Sequence, residues 1–212
     1  MRILLVADGR SPITRRWLTG LAELDDELML VSTFPCNPLE LQRSIGHQLT
    51  GVEVIPVAFS RWAGSGVAQT ASGAATLSQG RARKLVSRFR SLFLSGRYWL
   101  APLTIWMAVQ SFQKIVKQFN PDLIHALRVP FEGMLAGYSP AGIPLVVSIW
   151  GNDLTLHARG SAWMRMLTMH TLGRAQGLMA DASRDIRLGR LWGLSDDALS
   201  LVVPGSGGIH LD

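Results

Sequence analysis

Apolar residues along the chain gather in short aliphatic runs, separated by stretches where they recur every three or four positions. Ile3 to Ala7 is the first run; it ends at Asp8-Gly9 and reads as a buried parallel strand. Ser11-Pro12 then matches a helix start, with serine as the cap and proline at the first helical position. Ile13, Trp17 and Leu21 give that helix an apolar face. Further strands are predicted at Glu27–Ser32 and Val52–Val57. Residues Ser60 to Gly80, rich in Gly, Ser, Ala and Thr, read as a surface loop or insertion. Helical patterning resumes near Arg81 and again from Trp99 to Phe119, with a break at Ser95-Gly96. Asp122–Ala126 is a fourth strand, followed by a helix from about Pro130 and a fifth strand at Pro144–Trp150. Gly177–Ala180 and Ser200–Val203 complete the strands, with a helix from Ser183 to about Trp192 between them. Strands alternating with helices predict an α/β fold: a doubly wound, mainly parallel sheet with helices on both faces. Ligands of such sheets bind beyond the carboxyl ends of the strands, so the loops there are where chemistry is expected.

Composition narrows the classes. The 212 residues suit one large domain or half of a two-domain enzyme. At 48% hydrophobic the chain is too apolar to stay disordered. A single cysteine, Cys36, excludes a disulfide scaffold and fits a reducing compartment. Only five apolar residues follow Met1-Arg2 before Asp8, short of a signal core of ~7–15, so no secretory signal is expected. The net charge of +6 is unevenly placed. No acidic residue lies between Glu53 and Asp122, while nine basic residues do; the rest carries 12 basic against 15 acidic. One basic strip on a neutral body points to a localised anionic surface and away from nucleic acid.

Three loops after strands carry candidate chemistry. Gly9-Arg10-Ser11 sits at a helix N-terminus, where unpaired N–H groups favour an anion and Arg10 adds a charge; the other reading is an ordinary strand-to-helix turn. It lacks the G-x-G-x-x-G of a dinucleotide site, which disfavours a nicotinamide enzyme. Past the fourth strand come His125, Arg128 and Glu132. His125 is a candidate general acid or base, or a ring packed inside the sheet. Arg128 and Glu132, four apart, either serve a ligand or pair with each other. Trp150-Gly151-Asn152-Asp153 closes the fifth strand: a sharp turn whose Asp153 either caps the next helix or faces the cleft to bind sugar hydroxyls. His125 and Asp153 are the catalytic candidates. Pro204 to Gly208 reads as a hinge or a close backbone approach, and His47, His157, His170 and His210 as surface or structural. No zinc spacing, P-loop or G-x-S-x-G elbow appears, so no metal site is expected.

In order and spacing these segments resemble the N-terminal domain of glycosyltransferase 4-type enzymes, along essentially the whole chain. Met1 to Val6 is similar to the family's opening strand, and Gly9–Pro12 to its glycine-containing first loop. Pro121-Asp122-Leu123-Ile124-His125-Ala126 resembles the P-D-[VL]-[VI]-H-x segment, and Val147–Asp153 the strand ending in H-G-x-D. Ala180–Ser183 resembles a segment ending in a helix-capping serine, and Val202–Asp212 the V-I-P-N-G-V-D element before the second domain. The chain departs from the pattern at Leu127, where a second histidine is frequent, and at Trp150, which replaces the histidine of H-G-x-D.

The resemblance implies one half of a GT-B fold: a single Rossmann-like, acceptor-side domain over residues 1–212, with the nucleotide-sugar domain and its paired glutamates absent. It implies transfer of a sugar from a nucleotide-diphosphate sugar to a glycan or lipid-linked acceptor, generally without a metal or other cofactor. The isolated chain is expected to be inactive. The first loop would face donor phosphates, and Arg128, Glu132 and Trp150–Asp153 the acceptor. The alternative is a stand-alone binding module that completes a cleft with a separate donor-binding chain.

The basic helical segment, about 81–119, fits that setting. Arg81, Arg83, Lys84, Arg88 and Arg90 interleave with Phe89 and Phe93, as in an interfacial helix on anionic lipid; the other reading is a solvated basic face over an ordinary core helix. The longest apolar run, Trp99 to Val109, is far short of the ~20 residues a bilayer requires. The expected location is cytoplasmic, peripheral on the inner face of the membrane.

Overall fold

The computed structural model describes residues 1–58, 60 and 80–203, and over 80–97 the backbone alone. Seven parallel strands form one sheet in the order β3-β2-β1-β4-β5-β6-β7. They are β1 (Arg2–Ala7), β2 (Glu27–Ser32), β3 (Leu49–Val54), β4 (Leu123–Ala126), β5 (Leu145–Ile149), β6 (Gly177–Ala180) and β7 (Leu199–Val202). Their order reverses between β1 and β4, which are hydrogen-bonded neighbours. That reversal opens a crevice at the carboxyl edge.

Alternation along each strand makes the sheet two-faced. Ile3, Leu5 and Ala7 of β1 turn to one side, where Trp17 and Leu18 of α1 (Pro12–Ala22) and Leu41 of α2 (Pro38–Ile45) cover them. Leu4 and Val6 turn to the other side, into the larger core built with α3 (Gly80–Phe119) and α5 (Ala162–Arg174). Between these two helices lie a wide turn, Val129–Gly133, and the short α4 (Met134–Ala136). A second wide turn spans Asp153–His157, and α6 (Ser183–Leu191) precedes β7. The doubly wound, all-parallel architecture is the one the hydrophobic pattern predicts.

Details differ from the sequence reading. The third strand is shifted toward the N-terminus, because its register with β2 starts at Leu49 opposite Leu28. Ile55 and Val57 still donate backbone hydrogen bonds to Ser32 and Thr33, so the apolar run continues the edge without lengthening the strand. Helix α2, absent from the sequence reading, is capped by Asn37 with Pro38 behind it. Ser183 does not cap α6; it is the first helical residue, after Ala182. The expected break at Ser95-Gly96 is missing too: one 40-residue helix runs through it. The loop read at Ser60–Gly80 lies, apart from its two end residues, outside the described residues, as does the segment Pro204–Gly208 with His210.

Helix α3 contains Pro102, which has no N–H for the carbonyl four residues back. That carbonyl, on Tyr98, instead accepts a 2.7 Å hydrogen bond from Ser161 Oγ. Ser161 also caps α5, accepting from Met164 N at 3.1 Å. One hydroxyl thus repairs the proline defect and starts the neighbouring helix. Ser161→Ala should cost about 1–2 kcal/mol, read as a lower urea midpoint at unchanged slope. An unchanged midpoint would show that neither bond matters to stability.

Candidate functional site: a cavity at the sheet's switch point

A cavity of about 250 Å3 opens where β1 and β4 diverge, at the carboxyl edge of the sheet. Its walls come from the ends of four strands and from one turn of α3. Asp8 and Ser11 follow β1; Arg128 and Glu132 follow β4; Trp150 follows β5. Phe34 follows β2, and Tyr98 reaches in from the helix.

The first loop is tightly self-bonded. Arg10 grips Asp8 through Nε at 3.1 Å and Nη2 at 3.0 Å, and its guanidinium stacks over the Phe34 ring at 4.1 Å. Gly9 N donates to Ser32 Oγ at 3.0 Å. A Cβ on Gly9 would lie 2.8 Å from Cys36 Sγ and 2.9 Å from Ser32 Oγ, so the missing side chain makes room for β2's end. Ser11 caps α1, accepting from Ile13 N at 3.3 Å.

Asp153 holds the opposite wall together. Fully buried, it accepts from Arg128 Nη2 at 2.7 Å, from Val129 N at 3.4 Å and from Trp150 N at 3.3 Å. One carboxylate therefore ties the loop after β4 to the loop after β5. Arg128 turns to Asp153 and away from the i+4 partner the sequence offers, Glu132. Its Nε, and Trp150 Nε1, are buried donors with no protein partner. Both residues line the cavity, so both donors suit the oxygens of a polyhydroxylated or anionic ligand.

Glu132 contributes a buried carboxyl to the cavity wall, accepting 2.8 Å from Thr33 Oγ1. Burial pushes its pKa up to about 7, against the opposing pull of Arg128. It can therefore hold or accept a proton near neutrality. Beside it, Phe131 is buried at φ 67°, ψ −55°, a conformation costing about 1–3 kcal/mol for a side-chain-bearing residue. Backbone strain thus sits directly on the cavity wall.

The catalytic candidates lie elsewhere. His125 is buried within the sheet, its Nε2 2.9 Å from Ser148 Oγ and its ring edge-on to Trp17. Burial lowers its pKa to about 4, so the ring is neutral at physiological pH. Neither His125 nor Asp153 lines the cavity: the structure gives His125 the packed-in-sheet geometry and Asp153 a cross-linking one. Gly151, at φ 50°, and Asn152 form the exposed turn beyond Trp150. Arg81, Arg83, Lys84, Arg88, Phe89, Arg90 and Phe93 belong to α3, but their side chains lie outside the described residues.

Sequence reasoning missed Thr33, Phe34, Tyr98 and the role of His157. His157, read as surface or structural, lines the cavity with its Nδ1 2.9 Å from Tyr98 Oη. The Tyr98 ring occupies the space a Cβ on Gly160 would take, at 2.6 Å. No local signal announces this pair, which is 59 residues apart in the chain. Among the described residues no cluster of three or more His, Cys, Asp or Glu is placed to hold a metal ion.

Residues 97–182 match the family model described as "Glycosyl transferase 4-like". No curated protein matches the chain. Among solved structures, Anabaena HepE in complex with UDP and glucose is similar at a TM-score of 0.51 and 14% identity, covering 96% of this chain and 44% of that one. MurG of Acinetobacter baumannii is similar at 0.44 and 14% identity, covering 84% of this chain and 40% of that one. The chain therefore spans less than half the length of either structure. The stretch from Arg97 to Ala182 contains α3's last turns, the loops after β4 and β5, and most of the cavity wall. Residues 97–182 are thus similar to the glycosyltransferase 4-like family, and the sheet as a whole has the Rossmann-like fold of the GT-B structures it matches.

Proposed function

We propose that this chain is the acceptor-binding half of a glycosyltransferase that moves a sugar from a nucleotide-diphosphate sugar to a glycan or lipid-linked acceptor. The observation that carries this reading is the pairing of orphan donors on Arg128 and Trp150 with the near-neutral carboxyl of Glu132 around one cavity. A sugar ring offers what that wall lacks: hydroxyl oxygens to accept from the donors and a hydroxyl proton to share with the carboxyl. Trp150 adds an aromatic surface for the apolar side of a ring.

Three roles follow for the wall. Arg128, held rigid by Asp153, orients the acceptor. Glu132 takes or holds the proton of the hydroxyl that attacks. Phe131 and Tyr98 narrow the cavity and exclude water. The donor is assigned to a second domain not contained in these 212 residues, and no cofactor or metal is required of this half. Its basic segment, Arg81 to Arg97, meets an anionic membrane on the cytoplasmic side. No helix among the described residues is long and apolar enough to cross a membrane.

The test is binding of a panel of glycans and lipid-linked saccharides to the purified chain, by saturation-transfer NMR. A saccharide should bind, and Arg128→Ala or Trp150→Ala should weaken it about tenfold or more, the scale of one lost charged or stacking contact. Nucleotide sugars alone should show no turnover. Absence of any saccharide binding, or binding indifferent to both substitutions, overturns the acceptor assignment; turnover by the chain alone overturns its dependence on a second domain.

A further inference from the structure

Helix α3 has two apolar stripes, and among the described residues only one has a partner in the fold. Ala101, Ile105, Ala108, Phe112, Val116 and Phe119 are buried against the sheet. Diametrically opposite, Trp99, Leu100, Leu103, Trp106 and Met107 are each between 51% and 82% exposed. At 100° per residue these five occupy an arc of about 120° centred away from the sheet. Trp163 of α5 extends the patch, its ring edge-on to Trp106 at 6.4 Å between centroids. Single exposed apolar residues are ordinary, but a contiguous face with three tryptophans is not.

Charge identifies what covers this face. The stripe runs on into exposed Lys114 and Lys117 toward the C-terminal end of α3. Toward the N-terminus the same helix carries six cations from Arg81 to Arg97, and no acid occurs between Glu53 and Asp122. A second copy of the chain packed here would set one cationic helix against another. An anionic bilayer complements both properties, taking Trp and Leu into its interface while the flanking Lys and Arg meet headgroups.

We infer that the outer face of α3, with Trp163 of α5, is the surface by which the protein lies on an anionic lipid bilayer. The helix lies in the membrane plane with Trp99, Leu103 and Trp106 inserted. Tyr98, one residue from this stripe, lines the cavity, so a docked bilayer places its headgroups at the cavity mouth. This inference rests on the membrane partner proposed above, and it replaces attraction by charge alone with insertion of a defined apolar face.

Flotation with phosphatidylglycerol–phosphatidylcholine vesicles, and with phosphatidylcholine alone, tests it using the full chain. Binding to the anionic vesicles should fall about tenfold or more in Leu103→Glu/Trp106→Glu, since each substitution removes an inserted side chain. Leu191→Glu, at a still more exposed position on α6, should bind as the parent does. Brominated lipid should quench the parent's tryptophan emission, and Trp99→Phe/Trp106→Phe should bind but lose most of that quenching. Near-ultraviolet circular dichroism checks that each variant is folded. If the glutamate variant binds undiminished while Arg88→Gln/Arg90→Gln does not, charge alone recruits the protein: the membrane partner stands and the inserted face fails. If the parent floats with neither vesicle, both fail. A dimer in solution that the glutamate variant abolishes would assign the face to self-association and overturn the proposal.

Discussion

Replacing Asp153 by alanine should destabilise the protein by about 3 kcal/mol, a large share of the ~5–15 kcal/mol a domain of this kind has. The carboxylate has no solvent exposure and three protein donors, so its removal strands two backbone N–H groups and one cation. The estimate sits at the low end for a broken buried pair because the Arg128 side chain is 38% exposed and can recruit water. Asp153→Asn keeps acceptor oxygen and should cost less. Arg128→Met/Asp153→Leu should recover part of the loss, since neither charge is left alone. Urea denaturation at constant slope measures all three. A cost below about 1 kcal/mol for the alanine variant would mean that the two loops do not depend on this tie.

The second large effect is a pH dependence in which two buried groups oppose each other. His125 has its pKa lowered from 6.5 to about 4 by burial. As pH falls through that window the unfolded chain takes up a proton the folded protein refuses, so this term removes stability toward acid, about 3 kcal/mol in full. Glu132 has its pKa raised from 4.5 to about 7, also by burial. Between those values the folded protein binds the proton and the unfolded chain does not. Its term therefore adds stability as pH falls from 7 to 4.5 and removes a similar ~3 kcal/mol as pH rises. The two cancel over much of the range. His125→Asn should accordingly gain stability relative to the parent between pH 7 and 4.5, and Glu132→Gln should lose it. Unfolding free energies for parent and both variants across that interval decide the matter; parallel curves for all three would show that neither group titrates as its burial dictates.

The fold was legible because a parallel sheet buries both faces and writes itself as aliphatic runs. Six of the seven strands lie within one residue of their predicted ends, β2 and β6 at those ends. β3 was misplaced because its apolar residues continue past the last strand position and, on a sheet edge, no second neighbour fixes register. Helix α2 carried a local signal, Asn37 before Pro38, of the same form as Ser11-Pro12. Ser95-Gly96 carried a breaker signal that the helix overrides. At the site, loops after β1, β4 and β5 were named because topology alone points to strand ends. Which side chain in each loop faces the cavity was not legible. Asp153 turns inward because Arg128 and two N–H groups compete for it, and His125 because its strand position faces Trp17. Tyr98 reaches the cavity only because Gly160 leaves room for its ring, a fit no linear pattern records.

The sheet's two outer strands are guarded very differently. β3 carries Gly51 and Glu53 and has α2 packed beside it, which makes it a poor template for further pairing. β7 is exposed at all four positions, three of them Leu199, Leu201 and Val202, and its outer row of N–H and C=O groups faces no further strand among the described residues. Sheet growth is therefore one-sided. At high concentration, association through β7 is the expected result, and Leu201→Lys should reduce it, as read by size-exclusion chromatography.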